Sequence, residues 1–156
     1  MSTYSNAKII FGLNTLVKVN GKRIKYYKQA LDRSDDVDLI LWFNRYATHL
    51  QKANDLLLGW LRSYGVQHDT AAHPGDVTSP WNQIKDMFIL SRRNSVLEHC
   101  ELLERNALKV YTTAVALNFV PSVALADVDE QIDDIRHALE SLRQLKNNQS
   151  RELQVA

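Results

Sequence analysis

The stretch LADVDEQIDDIRHALESL, Leu125 to Leu142, decides the fold. Leu125, Val128, Ile132, Ile135, Leu139 and Leu142 recur at alternating spacings of three and four residues. That rhythm predicts a helix burying one stripe against other helices. With Ile132 at heptad position a and Ile135 at d, Asp134 falls at c and His137 at f. Position f lies farthest from the seam, so the Asp134-x-x-His137 pair is expected to face water.

Working outward, the same spacing recurs three more times. The first segment, about 6–32, carries Ile9, Ile10, Leu13, Leu16, Val17, Ile24, Tyr27 and Leu31, with Asn20 on the seam and Gly21 inside the pattern. The second, about 35–64, starts from Ser34 as N-cap and carries Leu39, Phe43, Tyr46, Leu50, Ala53, Leu57 and Tyr64. Trp42, Leu56 and Trp60 widen its stripe, and Gly65 suits the left-handed position that ends a helix. The third, about 95–117, opens on Ser95 and Glu98 with capping-box spacing. Its seam reads Val96, Cys100, Leu103, Ala107, Val110, Ala114 and Leu117, and Pro121 stops it. The fourth covers about 122–146, followed by a polar tail expected to fray.

The first two segments meet at a tight turn, as do the last two. Segments two and three are about thirty residues apart, with a short extra helix expected at about 80–91 behind Ser79 and Pro80. The expected fold class is therefore all-α: a single four-helix-bundle domain over 1–156, with one long crossover between two antiparallel pairs. That is the ferritin-like arrangement.

Composition agrees with a soluble domain. Apolar residues make up 45% and charged residues 24%, and glycine and proline number only five and three. A net charge of +1 gives no case, on overall charge, for a nucleic-acid or membrane partner. The lone Cys100 excludes an intrachain disulfide and a cysteine-rich zinc site, and suits a reducing compartment. With no apolar signal segment or spanning run, the expected location is the cytoplasm.

LNTLVKVN (13–20), YYKQAL (26–31), SPWNQIKD (79–86), SVLEHCELLERNALKVYTTAVAL (95–117) and QIDDIRHALESL (131–142) together resemble a bacterial ferritin-like four-helix-bundle family of unknown function. The most specific parts are Leu13-Asn14, Ser79-Pro80-Trp81 and the spacing of Glu104 and Tyr111. The resemblance spans about residues 13–145. It implies a ferritin-like fold and an oligomer, and carries no catalytic signature.

A di-iron bundle needs inward carboxylates on all four helices and two inward histidines. The polar residues near mid-helix are Asn20, His49, Glu104 and Gln131. They offer one carboxylate and one histidine, so no catalytic, cofactor or metal site is predicted. The weak metal candidates are Glu104 and His49, with Gln131 or Asp134 as further ligands. Glu104 is expected to be half-buried, paired with Arg136 or hydrogen-bonded to Tyr111 or Tyr27. His68 and His73 lack a ligand spacing. No phosphate loop, nucleophile elbow or catalytic triad is present.

Residues 1–33 hold seven Lys/Arg against Asp32 alone, whereas the fourth segment opens with Asp127, Asp129, Glu130, Asp133 and Asp134. In a ferritin-like bundle the first and fourth helices can be neighbours, in which case the two faces could attract, at only ~0–1 kcal/mol for each exposed pair. Three function classes follow. The leading expectation is a non-catalytic binding or assembly module with an incomplete di-iron site, forming a homo-oligomer through Trp42, Trp60, Trp81 and Phe88. The alternative is an iron- or manganese-binding ferritin-like oxidase or storage protein. The third is a nucleic-acid binder using Lys18, Lys22 and Lys25.

Overall fold

The computed structural model describes residues 3–67 and 93–155. Four long helices account for most of them: α1 (Thr3–Arg33), α2 (Val37–Ser63), α3 (Arg93–Ala116) and α4 (Leu125–Val155), with a 3-10 turn at Ser122–Ala124 before α4. The short helix expected at 80–91 lies outside the described residues, as do Ser79, Pro80, Trp81, Phe88, His68 and His73. None of the described helices is long and apolar enough to cross a membrane.

The ends of these helices follow local chemistry. Asp36, not Ser34, caps α2: its Oδ1 accepts from the amides of Asp38 and Leu39 at 3.0 and 3.3 Å. A carboxylate there also favours the helix dipole, and Ser34 instead accepts from the Asp36 amide. Gly65 takes φ +85° behind α2, and Val66 and Gly65 donate to the Leu61 and Arg62 carbonyls. Asn118 repeats the device behind α3 at φ 60°. Phe119 and Asn118 donate to Ala114 and Val115. Both are Schellman closures. Helix α3 is already formed at Arg93, so Ser95 lies inside its first turn rather than capping it. The tail expected to fray continues α4 to Val155; it contains neither glycine nor proline, so nothing in it breaks a helix.

Every neighbouring pair is antiparallel. Helix α1 packs on α2 and α3, and α4 packs on α3 and α2. Asn20 meets Asn54 and Tyr111, and Ala53 meets Gln131. Helices α1 and α4 are therefore diagonal and parallel, not the neighbours the charge pattern suggested. Arg93 at the start of α3 pairs with Asp36 at the start of α2. The chain thus leaves α2 at one end of the bundle and enters α3 at the other, along a helix ~40 Å in length.

The core has two apolar halves. One gathers Tyr27, Trp42, Phe43, Tyr46, Leu97 and Leu142. Its aromatic rings meet edge-on or tilted at 4.6–5.7 Å. Such rings add specific contact to a large buried area. The other half holds Leu13, Leu16, Leu57, Leu61, Ala107 and Val128. Trp42 is buried, and its Nε1 donates to Ser141 Oγ at 2.8 Å. Trp60 is half-buried and donates to Asp127 at 2.9 Å. Neither supplies the free apolar surface expected of it.

Candidate functional site

The buried seams run straight through polar residues. In α1 the seam runs Ile9, Leu13, Leu16, Asn20, Arg23, Tyr27 and Ala30, at spacings of four and three, with Val19 and Tyr26 also buried beside it. In α3 the seam runs Leu97, Cys100, Glu104, Ala107, Tyr111 and Ala114, with the expected Val96 also buried. In α4 the seam runs Val128, Gln131, Ile135, Ala138 and Leu142, with Ile132 also buried beside it and Ala124 buried in the turn before the helix. Asn54 joins them from α2. Leu103, Val110 and Leu117, expected on the α3 seam, lie beside it or outside.

These residues form one hydrogen-bonded network between the apolar halves. Arg23 Nη1 donates to Glu104 Oε1 at 3.0 Å and Oε2 at 2.7 Å. Arg23 Nη2 donates to Asn20 Oδ1. Asn20 Nδ2 donates to Tyr111 Oη at 2.7 Å and Asn54 Oδ1 at 2.9 Å. Tyr111 donates on to Gln131 Oε1 at 2.6 Å. The network ends on backbone: Gln131 Nε2 reaches the Ala53 carbonyl and Asn54 Nδ2 the Val17 carbonyl, each at 3.3 Å. Donors therefore point consistently away from the guanidinium, an arrangement in which each bond polarises the next.

Glu104 is paired with Arg23, not Arg136; the latter lies at the surface beside Asp133. Arg23 is one of the seven basic residues of 1–33, and it is buried. Both charges are almost fully enclosed, with side chains 3% and 2% exposed. Burial alone works against the arginine charge. The Glu104 carboxylate outweighs it and holds the Arg23 pKa above the ordinary value. Tyr27 lies beside the pair; burial first, then the nearby carboxylate, pushes its hydroxyl well up. Burial raises Tyr111 to about 12.

Beside this layer is a small cleft of about 20 Å³, the space of about one water molecule. Arg23, Glu104, Tyr111 and Gln131 line it together with His49 and Asp134. All the weak metal candidates thus meet at one place. His49 is half-buried with its ring edge-on to Tyr46 at 5.7 Å. Asp134, expected to face water, is half-buried. The reason is rotation: the α4 seam is centred between positions g and d. At about 100° per residue, position c then lies about 70° from its centre and position a about 90°. His137 at f is exposed.

Among the described residues, the donor set at this cleft does not fit iron or manganese. Those ions want several free carboxylate and imidazole ligands at one level. Glu104 is the sole buried carboxylate among the described residues, and the Arg23 guanidinium occupies both its oxygens. No group of three or more His, Cys, Asp or Glu among the described residues is placed to hold an ion. A fixed cation beside Glu104 would also repel a metal. Cys100 is fully buried, and burial raises its thiol pKa well above the ordinary value, which disfavours the reactive thiolate. Comparison of the chain with protein-family models, curated proteins and solved structures finds no match.

Sequence reasoning missed Arg23 and Asn54. Arg23 was hidden by its place in the basic run GKRIKYYK. The usable signal was the unbroken four-three spacing Leu16-Asn20-Arg23-Tyr27.

Proposed function

We propose that this chain is a ferritin-like bundle whose middle layer is a hydrogen-bonded polar network in place of a di-iron centre. It acts as a non-catalytic binding or assembly module. The carrying observation is the double hydrogen bond from Arg23 to Glu104. It supplies internally the positive charge that a metal would bring to such a layer. The two antiparallel hairpins, joined end to end by one long connection, support the ferritin-like reading.

The competing reading, an iron- or manganese-binding protein using Glu104, His49 and Gln131 or Asp134, draws on their meeting at one cleft. Metal analysis of protein purified from iron- and manganese-supplemented cultures separates the two. The expected content is substoichiometric and unchanged in Glu104→Gln. Stoichiometric metal that is lost in Glu104→Gln overturns the proposal.

A further inference from the structure

The outward face of α1 carries Lys18, Lys22 and Lys25, spaced by four and three residues and set opposite the buried seam. Lys18 and Lys22 are exposed and Lys25 half-buried, and none forms an ion pair among the described residues. The outward face of α4 carries Asp129, Glu130 and Asp133, all exposed. Asp133 has only Arg136 on its own helix, at 3.4 Å, and the other two have no ion-pair partner among the described residues.

Two facts relate these faces. The bonds from Asn20 to Tyr111 and from Tyr111 to Gln131 fix residues 18–25 and 129–133 at the same height in the bundle. Helices α1 and α4 are diagonal, so the two faces point away from each other and cannot meet within one copy. An apolar residue adjoins each face toward the same end of the bundle, Phe11 on α1 and Val123 before α4, each 64% exposed.

We infer that the basic α1 face of one molecule docks on the acidic α4 face of a second copy of this chain. The inference rests on the assembly reading above and names its partner. A copy displaced sideways without change of height brings like levels together, with α1 running parallel to α4. The contact is head-to-tail, because each copy uses a different face on each side. It therefore propagates into a ring or a row rather than stopping at a two-fold dimer. Attraction between exposed charges is screened within ~10 Å at 0.1 M salt, so the assembly is strongest at low ionic strength.

Sedimentation velocity tests this directly. At low salt the weight-average mass rises with concentration above the 17.9 kDa monomer, and it returns to the monomer at high salt. The triple variant Lys18→Glu/Lys22→Glu/Lys25→Glu stays monomeric. So does Asp129→Lys/Glu130→Lys/Asp133→Lys. An equimolar mixture of the two associates again, because each reversed face now meets its complement. Circular dichroism confirms that both variants are folded. A wild-type chain that is monomeric at every salt concentration overturns the inference, as does association that survives both reversals. So does salt-dependent binding of an RNA or DNA oligonucleotide through the three lysines by a chain that does not self-associate. A monomer without metal removes this inference alone; stoichiometric metal at Glu104 removes the function proposed above.

Discussion

Arg23 and Glu104 share two hydrogen bonds, at 3.0 and 2.7 Å, across 81 residues of chain. They tie the first hairpin to the second, at a depth where both side chains are almost fully enclosed. Their value is asymmetric. A buried pair contributes little net stability over a well-packed apolar pair, but a single charge left behind is costly.

Glu104→Ala is therefore expected to lower unfolding stability by ~3–5 kcal/mol. Arg23→Met/Glu104→Leu should lose less than either Arg23→Met or Glu104→Leu alone. Urea denaturation of the three variants measures the coupling; additive losses would show that the pair is not a unit.

The buried phenols set an alkaline limit. Burial raises Tyr111 to about 12 and pushes Tyr26 and Tyr27 well above the ordinary phenol value. The folded state therefore prefers the protonated form. The stability this represents is complete below the unfolded phenol pKa of ~10 and is lost as pH rises toward the folded value. For Tyr111 alone the loss is about 3 kcal/mol. In an alkaline titration three of the six tyrosines should ionise only as the fold is lost. Smooth titration of all six without loss of helix would refute this.

At the acidic side the cap of α2 matters. Burial acts to raise the Asp36 pKa, but the hydrogen bonds from Arg93 and from the Leu39 and Asp38 amides prevail and lower it. Its contribution is thus present above the ordinary carboxylate range and is lost as pH falls through the lowered value. Asp36→Ala should cost ~1–2 kcal/mol at neutral pH. Asp36→Asn keeps the cap, costs less, and removes this residue's share of the acid dependence. Thermal melts of both variants from neutral pH downward provide the check.

Two glycines of α1 should respond in opposite directions. A Cβ on Gly12 would sit 2.4 Å from the Phe119 carbonyl oxygen, where the α3–α4 turn crosses α1. Gly12→Ala should destabilise by ~1–3 kcal/mol through overpacking. Gly21 faces open space, so Gly21→Ala should gain up to ~1 kcal/mol in helix propensity. Equal shifts in melting temperature would contradict the close approach.

The four helices were legible because apolar residues mark most seam positions and breakers fall between segments. Their rotation was less so. Leu103, Val110, Leu125 and Leu139 drew the α3 and α4 seams toward apolar neighbours, while Glu104, Tyr111 and Gln131 occupied the buried positions. A polar residue reads as surface until its partner is known, and those partners lie on other helices. Arg23 could be placed inside only with Glu104 opposite it. The same rotation moved Asp134 from the expected outer face to the cleft. Helix order was also hidden: attraction between basic and acidic segments suggested that α1 and α4 touch, whereas the hydrogen bonds make them diagonal.

The parallel course of α1 and α4 has a practical result. Helix α1 starts at the end of the bundle where α2 finishes, and α4 finishes at the end where α2 starts. Cargo fused before α1 and cargo fused after α4 would be held apart by the rigid length of the bundle, ~40 Å. Joining the two ends into a circle would take an extended linker of at least ~12 residues.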